Sequence, residues 1–207
     1  MIIKARHHKV IYPFFKWYTL YIVRKNFSSV IVNGHYIEKN LPVLLLSNHS
    51  TWWDGFWSLW LNQKVFKRKF HFMMLENQLR KHWYFNYAGG FSVKKQSRSV
   101  METMGYTAQL LRNKNNLVLL FPQGKLVSVH QQEIRFGRGT EKVLEMAQKP
   151  VNIVFLVCLT EYFSDKKPRL YLYFTDFDMG TSGLHNLEAH YNSFYVKCIE
   201  KQAAIEE

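Results

Sequence analysis

Apolar runs of strand length recur along this chain, separated by stretches whose apolar residues return at the three-to-four spacing of a helix. The runs cover residues 30–32, 43–46, 70–74, 91–93, 117–121, 151–158 and 170–174, and the helical stretches cover 52–61, 97–112, 138–147 and 184–201. Strands alternating with helices are the pattern of an α/β sheet. The run at 117–121 is apolar without a break, which suits a strand buried on both faces. Asn33-Gly34 predicts a turn after the first strand, and Ser182-Gly183 another before the last helix. The 207 residues suit a single domain, and no linker or repeat divides them.

One more helical stretch lies at residues 9–27, KVIYPFFKWYTLYIVRKNF, where Pro13 opens the helix and Lys16 interrupts its apolar face. It falls short of the roughly 20 apolar residues a spanning helix needs, and no small-residue cleavage site follows it. On a helical wheel Lys16 and Arg24 fall toward one side and Phe14, Trp17, Tyr18 and Tyr21 toward another, so the segment is loosely amphipathic. Such a helix lies in a lipid interface or packs its aromatic stripe on a sheet, since both use the same periodicity. The expected organisation is an N-terminal amphipathic, membrane-associated segment over 1–27 and an α/β domain over 28–207. Arg6, His7, His8 and Lys9 read as a solvated or headgroup-facing basic start, because no acid or cysteine stands near them to complete a metal site.

Charge narrows the setting. Lys and Arg number 28 against 15 acids, a formal charge of +13, which favours nucleic acid, an anionic membrane surface, or acidic substrates and carriers. Aromatics make up 16% of the chain and crowd the N-terminus and the surroundings of His49, which suits a lipid–water boundary. A nucleic-acid groove could use them too, but there is no Cys/His finger and no clear aromatic RNA-binding signature. Two cysteines, Cys158 and Cys198, imply neither a disulfide framework nor a zinc cluster and fit a reducing compartment.

Three short stretches carry candidate chemistry. In LLLSNHSTWWDGFW, residues 44–57, Thr51 to Asp54 fits a capping box, which would make Asp54 a helix cap and His49 an ordinary turn residue. The other reading starts from position: His49 follows a strand and precedes a helix, at the edge where open α/β sheets bind ligands. An aspartate after four intervening residues can orient one imidazole nitrogen while the other faces a substrate proton. In LVLLFPQGK, residues 117–125, Phe-Pro-Gln-Gly fits a turn with proline second and glycine fourth. At Gly124 the missing side chain lets main-chain N–H groups approach a ligand, as an oxyanion site or phosphate cradle requires; the alternative is a plain strand-ending turn. Lys94 and Lys95 follow another strand, with Arg98 at a helix start, an arrangement that binds anions or simply forms a solvated face.

In this order and spacing the elements resemble the glycerolipid (lysophospholipid) acyltransferase family. His49 and Asp54 match its signature of histidine, four residues, aspartate. Gly90 to Lys95 resembles its glycine-to-arginine block, Phe121 to Gly124 its Phe-Pro-Glu-Gly block, and Lys149-Pro150-Val151 its closing apolar proline block. Arg135-Phe136-Gly137-Arg138-Gly139 is similar to the stretch that follows the third block, so the likeness runs over roughly residues 30–157.

The resemblance implies a mostly parallel sheet flanked by helices, and an enzyme that moves a fatty acyl group from an acyl thioester onto a lysolipid hydroxyl. The donor would be acyl-CoA or acyl-ACP. His49 and Asp54 would be catalytic; Asn48, Lys94, Lys95, Arg98, Gln123, Gly124 and Lys125 would bind substrate. No metal or other cofactor is expected. The expected partners are an anionic membrane surface, a lysolipid acceptor and an acyl carrier protein, without nucleic acid, at the cytoplasmic face of a membrane. Two positions depart from the family pattern. Gln123 replaces the usual glutamate, keeping the hydrogen-bonding shape without the charge, and Lys95 replaces an arginine, losing the planar fork that grips phosphate. Both bear on the acceptor. Two rivals stand beside this reading: a relative that binds lipid or carrier protein without turnover, and a basic nucleic-acid-binding protein whose affinity would fall steeply with salt.

Overall fold

The computed structural model describes residues 2–94, 98–178 and 186–206. Its strands are β1 (Ser29–His35), β2 (Val43–Ser47), β3 (Lys69–Leu75), β4 (Gly90–Val93), β5 (Asn116–Leu120), β6 (Asn152–Glu161) and β7 (Arg169–Phe177). The helices are α1 (Ile11–Asn26), α2 (Asp54–Leu61), α3 (Glu76–Lys81), α4 (Tyr84–Tyr87), α5 (Ser99–Leu110), α6 (Gly139–Ala147) and α7 (Leu187–Ala203). One 7-stranded sheet has the order β1-β7-β6-β2-β5-β3-β4. Every neighbouring pair is parallel except β6 with β7, so β2 to β6 share one direction while β1 and β7 run against them. The α/β class and the mostly parallel sheet follow the expectation.

The alternation of side chains along each strand divides the core in two. Leu44, Leu46, Val118, Leu120, Ile153 and Phe155 pack with residues of α5, α6 and α7. Val43, Leu45, Leu117, Leu119, Val154 and Leu156 pack with Val23 and Phe27 near the end of α1 and with Trp57 and Leu61 of α2. Covered on both faces, the central strands must be apolar throughout, which is why they read as unbroken runs. Truncating one of these leucines, Leu45→Ala for instance, costs about 2–5 kcal/mol by the usual cavity effect.

Some expectations need correction. Asn33-Gly34 is no turn: both residues lie inside β1, in register with Tyr173 and Phe174 of β7. Gly34 is there for close approach, since a Cβ on it would sit 2.2 Å from the Phe174 carbonyl oxygen. Regular helix in α2 begins at Asp54 and not at residue 52, because a turn over 51–53 precedes it. The Ser182-Gly183 turn and the expected starts of the helices at 97 and 184 lie outside the described residues. The short α3 and α4 offer too few turns for a periodic pattern to show.

The N-terminal stretch is woven into the domain. Phe15, Thr19, Ile22 and Val23 of α1 are buried, Ile2 is buried, and the Ser92 N–H donates to the Ile3 carbonyl at 2.9 Å. Phe14, Trp17 and Tyr21 stay exposed on the opposite face of α1. Among the described residues no helix is long and apolar enough to cross a membrane.

Candidate active site

The five co-directional strands present their carboxyl ends at one edge, and β2 delivers His49 there two residues after its last ladder position. The chain then turns into α2, whose first residue is Asp54. His49 Nδ1 lies 2.8 Å from Asp54 Oδ2. The same oxygen accepts the N–H groups of Ser50 at 2.8 Å and Thr51 at 2.9 Å. With two backbone donors already aimed at it, Oδ2 is the acceptor for the ring as well. Nδ1 therefore carries the hydrogen, which in a neutral imidazole leaves the lone pair on Nε2.

Both readings of Asp54 meet in this geometry. It accepts from Thr51 N–H as a capping acid does, while Thr51 Oγ1 accepts the Trp53 N–H at 2.8 Å. The carboxylate that starts the helix also orients the imidazole. Asp54 is fully buried while the His49 side chain is 25% exposed, so the carboxylate is shielded and the imidazole reaches the surface.

β5, the neighbour of β2, is followed by Phe121-Pro122-Gln123-Gly124. The Phe121 ring stacks on the His49 imidazole, centroids 3.9 Å apart and planes 11° from parallel. This face contact limits rotation of the imidazole about its own bond to the chain. Gly124 has φ +63, the left-handed conformation that favours glycine, and its N–H closes the turn on the Phe121 carbonyl at 2.9 Å. That donor is occupied by the turn.

The remaining expected residues divide by position. Asn48 is buried, with its amide bonded to the Cys158 backbone at 3.1 and 2.8 Å. Gln123 bonds the His49 backbone through both amide atoms, at 3.0 and 3.2 Å. Lys125 is exposed just past the Pro-Gly corner. Lys94 and Arg98 are exposed between β4 and α5, on the same edge but three strands from β2, roughly 14 Å at the usual strand spacing. Lys95 lies outside the described residues. Phe121 stood in the motif without a role of its own, since only the pairing of β2 with β5 shows which ring meets the histidine. Among the described residues no group of three or more His, Cys, Asp and Glu is disposed to hold a metal. A groove of about 550 Å³ lies elsewhere, against β1, β7 and α7, and includes neither His49 nor Asp54.

A family model described as Acyltransferase matches residues 29–157, from the start of β1 into β6 and more than half of the chain. The chain belongs to the acyltransferase family. The match agrees with the resemblance read from the motifs. His49, Asp54, Phe121 and Gln123 of this acyltransferase all lie within the matched span, whereas α1 and α7 lie outside it. The comparison with curated proteins finds no match.

Proposed function

We propose that this acyltransferase moves a fatty acyl group from an acyl thioester, acyl-CoA or acyl-ACP, onto the hydroxyl of a lysophospholipid-like acceptor, with His49 as general base. The observation that carries the reading is the 2.8 Å bond from His49 to a buried Asp54 at the carboxyl edge of the parallel strands. His49 Nε2 takes the acceptor's hydroxyl proton as its oxygen attacks the thioester carbonyl carbon. The tetrahedral intermediate collapses with cleavage of the C–S bond, and the imidazolium returns the proton to the departing sulfur, giving an ester and a free thiol. Asp54 holds the tautomer and stabilises the imidazolium between these steps. Lys94, Arg98 and Lys125 supply positive charge along the edge for phosphate groups of acceptor or donor; Lys95, next to Lys94 in the sequence, is proposed for the same task from its charge alone.

The reading extends to a peripheral position on an anionic, cytoplasm-facing lipid surface. Its support is the exposed aromatic face of α1 and the +13 charge. Rings continue from that face toward the site: Phe14 stacks on Tyr18, Tyr18 meets Phe56, and Phe56 meets Trp52, which is exposed three residues after His49.

The deciding experiment incubates the purified protein with labelled acyl thioesters and a total lipid extract, and identifies the lipid that gains mass. His49→Ala is expected to lower transfer about a hundredfold to ten-thousandfold. Transfer by His49→Ala at the parent rate rules out the base. For the lipid surface, Phe14→Ala with Trp17→Ala is expected to reduce co-sedimentation with phosphatidylglycerol vesicles several-fold; unchanged sedimentation removes α1 from the contact.

A further inference from the structure

The backbone of His49 lies beyond the end of the β2 ladder, yet its polar groups are paired. Its N–H donates to Gln123 Oε1 at 3.0 Å, and its carbonyl accepts from Gln123 Nε2 at 3.2 Å and from the Val127 N–H at 3.0 Å. One residue earlier Asn48 does the same toward the other neighbouring strand. Its Nδ2 donates to the Cys158 carbonyl at 3.1 Å, and its Oδ1 accepts the Cys158 N–H at 2.8 Å. Since β2 lies between β6 and β5, side-chain amides stand in for the missing ladder on both sides, Asn48 toward β6 and Gln123 toward β5. A primary amide suits this task because it offers a donor and an acceptor side by side, as a peptide group does.

We propose that Gln123 is a positioning residue of acyl transfer, which locks the His49 peptide to the β5 corner so that the imidazole keeps a fixed place between Asp54 and the acceptor hydroxyl. Gln123 acts through the histidine backbone and touches no reacting atom. One acceptor and one donor of its amide are engaged there, and the split between kcat and acceptor KM separates this role from gripping the acceptor. The corner carrying Gln123 also carries Phe121, whose ring stacks on His49, so one turn fixes both the main chain and the ring plane of the base. A rigid seat matters because a base displaced by about 1 Å can lose a hundredfold in rate.

The proposal rests on the reading of His49 as the base, and the test keeps the two apart. Steady-state kinetics of the full chain with acyl thioester and acceptor compare the parent with Gln123→Met, which keeps the length but has no amide, and with Gln123→Glu. In Gln123→Met kcat is expected to fall about tenfold to a hundredfold, with KM for the acceptor within about twofold. In Gln123→Glu the carboxylate still accepts the His49 N–H but faces the His49 carbonyl with an acceptor. There kcat is expected to fall, and the acid limb of the kcat/KM profile to move to higher pH, because a new negative charge stands beside the base. A rise of several-fold in acceptor KM with kcat retained overturns the proposal and makes Gln123 an acceptor ligand. Should Gln123→Met melt below the assay temperature, Gln123→Glu decides by the same criteria. Amide hydrogen exchange at His49 is a readout independent of turnover, expected to be at least about tenfold faster in Gln123→Met than in the parent. Faster exchange in Gln123→Met, with a parent that transfers no acyl group, would sink the base and leave the clamp; unchanged exchange in Gln123→Met, with an active parent, would sink the clamp and leave the base.

Discussion

Two sets of histidines sit against the same sheet and meet opposite surroundings. His49 has a buried carboxylate on Nδ1 and a side chain that is 25% exposed. His7 and His71 meet edge to face, centroids 4.7 Å apart, beneath the N-terminal segment. His7 Nε2 donates to the Phe70 carbonyl at 2.9 Å. Burial pulls His7 down to about 4 against that hydrogen bond, with help from the nearby Lys69 charge. Burial, followed by the His7 ring, pulls His71 down to about 3. An imidazole given an acid and access to solvent is equipped to pass a proton, while one given neither stays neutral and serves packing. The contrast lies in the partners, since the side chain is the same.

The contrast breaks most sharply at Asp54. Asp54→Asn keeps the shape but removes the charge that sets the tautomer, and kcat is expected to fall about a hundredfold or more with the circular dichroism of the fold retained. A rate within threefold of the parent would mean that Asp54 only caps α2. A smaller loss, about threefold to tenfold, is expected for Phe121→Leu, which removes the ring face under the imidazole and leaves the Gln123 clamp. The least effect on turnover belongs to His71→Leu, expected within about twofold of the parent, and its signature lies in stability against pH. Between pH 6.5 and about 3 the unfolded chain binds protons that the folded His7 and His71 refuse. Their contribution is fully present above pH 6.5 and lost as the pH falls through that window. Urea midpoints measured from pH 7 to pH 4 are expected to fall less steeply in His71→Leu; equal slopes would exclude the buried pair as a source of acid sensitivity.

Much of this was legible in the chain. Every apolar run became a strand, because a strand buried on both faces can hardly be built otherwise. The runs fell short at their ends, where Ser29, Lys69, Asn116 and Arg169 pair in the sheet although their polarity hides them from an apolar pattern. The His49–Asp54 pair was readable because one short turn joins its members. Gln123 was legible as part of a motif but not as a clamp, since it lies 74 positions from the peptide it holds. Asn33-Gly34 misled for a related reason: glycine serves both sharp turns and tight packing, and only the Phe174 backbone beside it distinguishes them.

By itself the sequence determined the class of fold, the order of its strands and longer helices and the His49–Asp54 pairing, since each depends on neighbours a few residues apart whose spacing and polarity are written in the chain. Tertiary structure alone decided that β7 runs against β6, that α1 buries one face and exposes its aromatic rings, and that Phe121 and Gln123 seat the histidine. These depend on which strands become neighbours, and that choice follows from burying all the apolar faces at once.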